Sequence, residues 1–167
     1  MSKTLNLPIL FFGLVLLQVF VLNNILFLGF INPYLYIAFV FLYPLKENRI
    51  PFLFYCFLLG ISVDFFSDSG GIHAFSILCI AYLRLFFVRL YFRKVVSDYA
   101  FFKLKSESLG KVFNYTATLT VIHHFIYFSF ANFSFNNFSD VLLNTFYSSI
   151  FTLVLYFLGT IIFTKRE

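Results

Sequence analysis

Long apolar stretches separated by short polar breaks dominate this chain and restrict what it can fold into. Asp, Glu, Lys and Arg together make up only 11% of the 167 residues, whereas hydrophobic residues reach 61%. Soluble domains carry about 25% charged residues, and a water-soluble core could not hide this much apolar surface. The sequence therefore predicts an all-α integral membrane protein whose residues 1–167 form a single transmembrane domain.

Charges, Asn-rich breaks and prolines divide the chain into six apolar segments, and we predict a transmembrane helix in each. Their approximate bounds are residues 7–22, 33–45, 51–66, 72–92, 112–130 and 141–163. Several are shorter than the ~20 residues that a lone helix needs to cross a bilayer. The assignments of the second and third segments have the weakest support, so a five-helix count stays open.

The positive charges fall into alternate connections. Those around residues 23–32, 66–71 and 131–140 contain no Lys or Arg. Because basic residues favour the cytoplasmic side, this pattern predicts six crossings with both termini in the cytoplasm. The net charge of +5 is thereby assigned to orientation in the lipid bilayer, and no nucleic-acid partner is expected. The predicted cytoplasmic set is Lys3, Lys46, Arg49, Arg93, Lys94, Lys103, Lys105, Lys111, Lys165 and Arg166.

Four polar side chains lie inside apolar segments, where such groups cost energy and suggest a function. Arg84 either meets a carboxylate or an anionic headgroup, or snorkels while bonded to neighbouring helices. His123 and His124 could serve a relay or a metal only with further ligands at the same depth, so a polar contact inside the bundle is favoured. Gln18 is predicted to make an interhelical hydrogen bond.

No catalytic residue, metal or cofactor is predicted. Asp64 has no second intramembrane carboxylate to pair with, and the motifs of hydrolases, metalloproteases and phosphate-binding loops are missing from the sequence.

Residues 60–74 predict the corner of a helical hairpin. Gly60 lets another helix approach closely, and Asp64 and Asp68 can cap the turn or the start of the fourth helix. Gly70 and Gly71 permit the positive φ angles of a tight reversal. This motif, with either a structural or a partner-binding role, comprises Gly60, Asp64, Gly70, Gly71, His73 and Ala74, with His73 at the outer rim of the fourth helix.

Together with the Asn32-Pro33 break and the apolar helix that contains Ala81-Tyr82, this hairpin resembles the rod shape-determining protein MreD family. The resemblance covers nearly the whole chain in layout and a shorter part of it in motif, and the interval from Asp64 to Gly71 is one residue shorter than in many members. It implies a non-enzymatic, multi-pass inner-membrane component of the bacterial cell-elongation machinery, which supports rod shape and lateral peptidoglycan synthesis. The implied partners are a periplasmic MreC-like protein, MreB, RodA and a penicillin-binding transpeptidase.

The resemblance also implies a fold similar to the substrate-binding subunits of energy-coupling-factor transporters. A small-molecule-binding transporter subunit is therefore the alternative function. Such subunits present closely spaced alanines on their first helix, whereas residues 7–22 contain Gly13 and no alanine. A third class, a lipid-modifying membrane enzyme, rests only on Arg84 and the two histidines of the fifth segment.

Overall fold

The computed structural model describes residues 7–25, 31–45, 48–94, 102–132 and 138–164. The basic residues Lys3, Lys46, Lys165 and Arg166 lie outside the described residues, as do residues 26–30 of the predicted connection 23–32. The α-helices of the described residues are α1 (Leu7–Leu16), α2 (Ala38–Leu42), α3 (Ile50–Ser67), α4 (Ile72–Phe92), α5 (Leu109–Ala131) and α6 (Phe138–Thr164).

Four helical stretches are long and apolar enough to cross a membrane, which makes the chain a multi-pass membrane protein. They are Leu7–Asn24, Ile50–Ser67, Ile72–Phe92 and Phe138–Ile162. The surface agrees with this assignment, because large apolar side chains such as Phe65 (82% exposed) and Phe12 (63% exposed) point outward. Serine, threonine and histidine side chains are buried instead, as expected when lipid is the solvent. The predicted all-α membrane fold is thus confirmed.

The helices pack around a short central segment. Helices α3 and α4 form a hairpin, α5 packs against α4, and α6 packs against α5, while α1 lies against α3. Residues 35–42 contact α1, α4 and α6, and Tyr36, Phe39 and Val40 are fully buried there. We call the end of the bundle at the α3–α4 turn, residues 67–71, the hairpin end.

Some helix bounds differ from the predicted ones. The first helix is regular only to Leu16 and continues as a π-helical turn, Leu17–Val21, and a 3-10 turn, Leu22–Asn24. Helices α5 and α6 begin at Leu109 and Phe138, earlier than predicted. In contrast, α4 has the predicted bounds, and α3 is one residue longer at each end.

The prediction of a continuous helix over residues 33–45 is wrong. Only the 3-10 turn Leu35–Ile37 and the five residues of α2 are helical. Two prolines account for the limits, since the residue before a proline avoids helical geometry. Tyr43, which precedes Pro44, has an extended backbone (φ −64°, ψ 134°), and Pro33 follows Asn32 at the other limit. We call residues 31–45 the broken segment.

Candidate functional site

The broken segment runs through the bundle with backbone groups that no helix pairs. Gln18, from the π-helical turn after α1, pairs two of them. Its Nε2 donates to the carbonyl oxygen of Pro33 (3.0 Å), and its Oε1 accepts from the backbone N–H of Tyr36 (3.3 Å). Non-helical backbone is tolerated at membrane depth only where other groups satisfy it. The predicted interhelical role of Gln18 is therefore confirmed, with backbone rather than a side chain as the main partner.

Helix α6 and helix α4 pair three more of these backbone groups. The N–H of Asn32 donates to Ser148 Oγ (3.2 Å), and the N–H of Tyr34 donates to Thr152 Oγ1 (3.1 Å). At the opposite end from the hairpin, Arg84 Nη2 donates to the carbonyl oxygen of Tyr43. The polar side chains of three helices thus replace the hydrogen bonds that a continuous helix would have made.

The hydroxyl of Tyr36 joins two histidines that are distant in sequence. It lies 2.9 Å from His73 Nδ1 and 2.7 Å from His123 Nε2, and all three side chains are buried. A phenol has one proton to donate, so one histidine accepts from Tyr36 and the other donates to it. Tyr36 is therefore the centre of a Tyr–His–His cluster beneath the hairpin end.

His124 makes a separate chain of hydrogen bonds. Its Nδ1 lies 2.9 Å from the carbonyl oxygen of Thr120, so Nδ1 carries the proton. In the neutral imidazole, Nε2 then accepts from the hydroxyl of Thr152 at 3.1 Å, and that hydroxyl oxygen accepts from Tyr34. His123 and His124 therefore both face the bundle interior and contact different elements.

Asp64 ties the hairpin together. Its Oδ1 accepts from the N–H of His73 (2.9 Å) and from Ser69 Oγ (2.5 Å), and its Oδ2 accepts from the N–H of Ala74 (2.8 Å). These two N–H groups belong to the first turn of α4, whose N-cap is Gly71. Because glycine has no side chain, Asp64 provides from α3 the cap that an N-cap residue normally supplies. The predicted capping role of Asp64 is confirmed.

The glycines of the motif have the predicted geometry. Gly70 and Gly71 have φ angles of 66° and 94°, in the left-handed region. A Cβ atom on Gly60 would lie 2.4 Å from the Cα of Ala74, so the two helices touch through backbone at this point. Asp68 is exposed and adopts a left-handed conformation (φ 50°) at the end of α3.

Arg84 lies apart from these groups. It is 3% exposed, and its guanidinium carbon sits 4.8 Å from the centre of the Phe52 ring. Its hydrogen bond to the carbonyl oxygen of Tyr43 agrees with the predicted alternative in which Arg84 bonds to neighbouring elements of the bundle.

The structure thus connects Gln18, the hairpin residues Asp64 and His73, and His123 through Tyr36, whereas the sequence presents Gln18, the hairpin and His123 as separate features. Sequence reasoning missed Tyr36, Ser148 and Thr152, and the Tyr36 position in an apolar run gave no signal of its role. Among the described residues, no group of three His, Cys, Asp or Glu side chains could hold a metal ion. The arrangement is one of polar contacts that fix the broken segment.

The fold and this site define a multi-pass helical membrane protein with a buried polar network. No protein-family model, curated protein or solved structure matches the chain.

Proposed function

We propose that this protein is a non-enzymatic component of the bacterial cell-elongation machinery in the inner membrane, related to MreD. The observation that carries the proposal is the 60–74 hairpin, whose residues carry the sequence resemblance and form one connected structural unit. The carboxylate of Asp64 accepts hydrogen bonds from the backbone N–H groups of His73 and Ala74, so neither side is free to bind another protein. The hairpin therefore supports the fold, and contacts with other proteins fall to the outer helix faces.

The proposal includes six crossings with both termini in the cytoplasm. Helix α5 has 23 residues, a length of about 34 Å at 1.5 Å per residue. Its average hydropathy is reduced by Thr116, Thr120 and the two histidines, all of which are buried, whereas Phe113 and Val121 are exposed. The broken segment has eight helical residues, which rise about 1.5 Å each, and seven others, which add at most roughly 3.3 Å each, so its maximum reach is similar. Both elements are thus long enough to cross.

In this proposal the protein works as a scaffold. An MreC-like periplasmic protein, MreB, RodA and a penicillin-binding transpeptidase are its proposed partners. Large apolar side chains along α1, α3, α4 and α6, including Phe12, Phe54, Phe86 and Phe146, remain exposed on the isolated chain and offer surface to lipid or to such partners.

Depletion of the protein in a rod-shaped host tests the proposal. We expect the depleted cells to be rounded. From undepleted cells, we expect the protein and its partners to be recovered together when native membranes are solubilised. Re-expression of the wild-type chain should restore rods and serves as the control. Rod-shaped cells after complete depletion would contradict the proposal.

A small-molecule-binding transporter subunit is the second candidate, and the broken segment favours it. Discontinuous helices form the substrate sites of many transporters, because their free backbone groups can bind polar ligands. In this chain Gln18, Ser148 and Thr152 pair the backbone groups that such a ligand would bind, so a ligand would have to replace these contacts. Uptake of labelled vitamins in depleted cells separates the two candidates: an uptake defect with normal cell shape would support the transporter.

A further inference from the structure

An open pocket lies at the end of the bundle opposite the hairpin end. It is an open cleft between the start of α3, the middle of α4 and residues 43–45, and its empty space of about 280 Å³ includes open solvent. Arginine and amide side chains line one part of it and apolar side chains line the other. The polar members are Arg84, Arg49 and Asn48, and the apolar ones include Leu45, Phe52 and Leu85.

Arg84 lines this pocket and has an unpaired hydrogen-bond donor. Its Nη2 is used by Tyr43, but its buried Nε has no hydrogen-bond partner among the described residues. An unpaired donor on a buried charged group is costly to leave unsatisfied. The guanidinium fork suits two oxygens of one phosphate or carboxylate. Arg84 Nε therefore has a donor available for an oxygen acceptor.

Other groups make the same place positive. Arg49 lines the pocket and lies over the ring of Tyr82, at 5.9 Å from its centre. Helix α3, of 18 residues, begins at Ile50, so the positive end of its dipole is adjacent. The described residues that line the pocket include no Asp or Glu. Among the described residues that line the pocket, an anion would meet two arginines and no carboxylate.

We propose that this pocket binds the phosphate group of an anionic membrane phospholipid. The phosphate oxygens accept from Arg84 Nε and from Arg49, and the glycerol and first acyl carbons lie against Phe52 and Leu85. Basic pockets between membrane helices recognise acidic headgroups in this way. A free phosphate ion would leave the apolar side of the pocket without a contact, whereas a phospholipid matches both the polar and the apolar lining residues.

Native mass spectrometry of the full-length protein in detergent, with phosphatidylglycerol or phosphatidylethanolamine added, tests the site. We expect the wild type to retain one phosphatidylglycerol molecule. We expect Arg84→Gln to bind this lipid about tenfold more weakly, because a charge-assisted contact is lost. Arg89→Gln removes the same charge from the same helix outside the pocket and should bind like the wild type. Phosphatidylethanolamine should bind more weakly than phosphatidylglycerol, because its ammonium group is repelled by both arginines.

Arg49→Gln keeps the test decisive if Arg84→Gln does not fold. Arg49 is exposed, so its replacement should leave the fold intact and weaken phosphatidylglycerol binding about threefold. Equal retention of both lipids by the wild type would overturn the proposal, as would unchanged binding in both pocket variants. Displacement of the lipid by an equal concentration of inorganic phosphate would show a free-ion site instead of a lipid site.

Discussion

The buried polar side chains of this protein find their partners mainly in backbone. Gln18, Ser148 and Thr152 bond to residues 32–36, and Arg84 bonds to Tyr43. Each would be expensive in the membrane without a partner, and each carbonyl or N–H of the broken segment would be equally expensive alone. The two requirements are met together, which explains why polar residues persist in otherwise apolar helices.

Asp64 offers a direct comparison of charge with shape. In Asp64→Asn the amide oxygen can keep the bonds from Ser69 and His73, while the new NH2 group faces the N–H of Ala74. We expect Asp64→Asn to lower the free energy of unfolding by about 1 kcal/mol and Asp64→Ala by about 3 kcal/mol, since the latter loses all three bonds. Thermal unfolding and membrane abundance, measured together, test this order.

Asp68→Asn is the matched control for Asp64, because Asp68 is an exposed carboxylate of the same turn and should tolerate the change. Normal abundance of Asp64→Asn combined with lost partner binding would contradict a structural role and indicate a charged contact with another protein.

The hydroxyl of Tyr36 supports the second residue-scale prediction. Tyr36→Phe keeps the ring but leaves one nitrogen each of His73 and His123 without a partner. Unsatisfied buried groups cost about 1–3 kcal/mol each, so we expect a loss of about 2 kcal/mol or more in unfolding measurements. Tyr82→Phe removes the hydroxyl of a tyrosine that is 66% exposed and should change stability little. Equal stability of the two variants would show that the Tyr–His–His cluster is not stabilising.

At the scale of elements, local signals predicted some limits well. Helices α3 and α4 start and stop where Pro51, Gly70 and Gly71 indicate, because these residues act through their own backbone. The broken segment was mispredicted because an apolar run gives the same pattern for a crossing helix and for a buried irregular segment. What decides between them is the set of distant side chains that pair its backbone, which periodicity does not contain.

The Tyr–His–His cluster was unpredictable for the same reason. Tyr36 is 37 residues from His73 and 87 from His123, and only the packing of three elements brings them together. The hairpin was easier to predict, because Asp64 and the N–H groups that it caps are only nine and ten residues apart.

The contact between α3 and α4 supports a prediction about element packing. A Cβ atom at position 60 would meet the backbone of Ala74 at 2.4 Å, and backbone cannot move aside as a flexible side chain can. We expect Gly60→Ala to separate the two helices and to lower the free energy of unfolding by about 2–3 kcal/mol. The strain also pulls Asp64 from its bonds to α4, so thermal stability and hydrogen exchange of residues 73–74 should change together.

Gly159→Ala in α6 is the control, because no atom lies within 4 Å of the added methyl group. It should be neutral or slightly stabilising, since alanine favours helix over glycine. A Gly60→Ala variant as stable as Gly159→Ala would mean that the helices do not touch at this point in the membrane.

At the scale of the whole molecule, large apolar side chains cover the outside, and polar side chains lie among the apolar ones inside. Phe65 and Phe86 face outward, whereas His123, His124, Thr120 and Ser148 are buried. An average over a helix cannot separate the two faces, and α5 accordingly does not reach the hydropathy of the four long apolar stretches. The number of crossings therefore depends on which face of α5 meets lipid, and from residue 115 onward the exposed side chains of that helix are apolar.

The orientation of α5 supports the last prediction. Ser106 precedes α5 in a connection with Lys103 and Lys105, and Lys111 lies in the first turn of α5. Asn136 follows α5 in a connection without Lys or Arg, outside the described residues. If α5 crosses with its basic end in the cytoplasm, an impermeant maleimide should label Asn136→Cys, but not Ser106→Cys, in intact cells. Both variants are made with Cys56 and Cys79 replaced by alanine, and both should react after permeabilisation. Labelling of both sites in intact cells would mean that α5 does not cross, and labelling of Ser106→Cys alone would invert the topology. The experiment thus decides the status of the one long helix whose composition leaves crossing open.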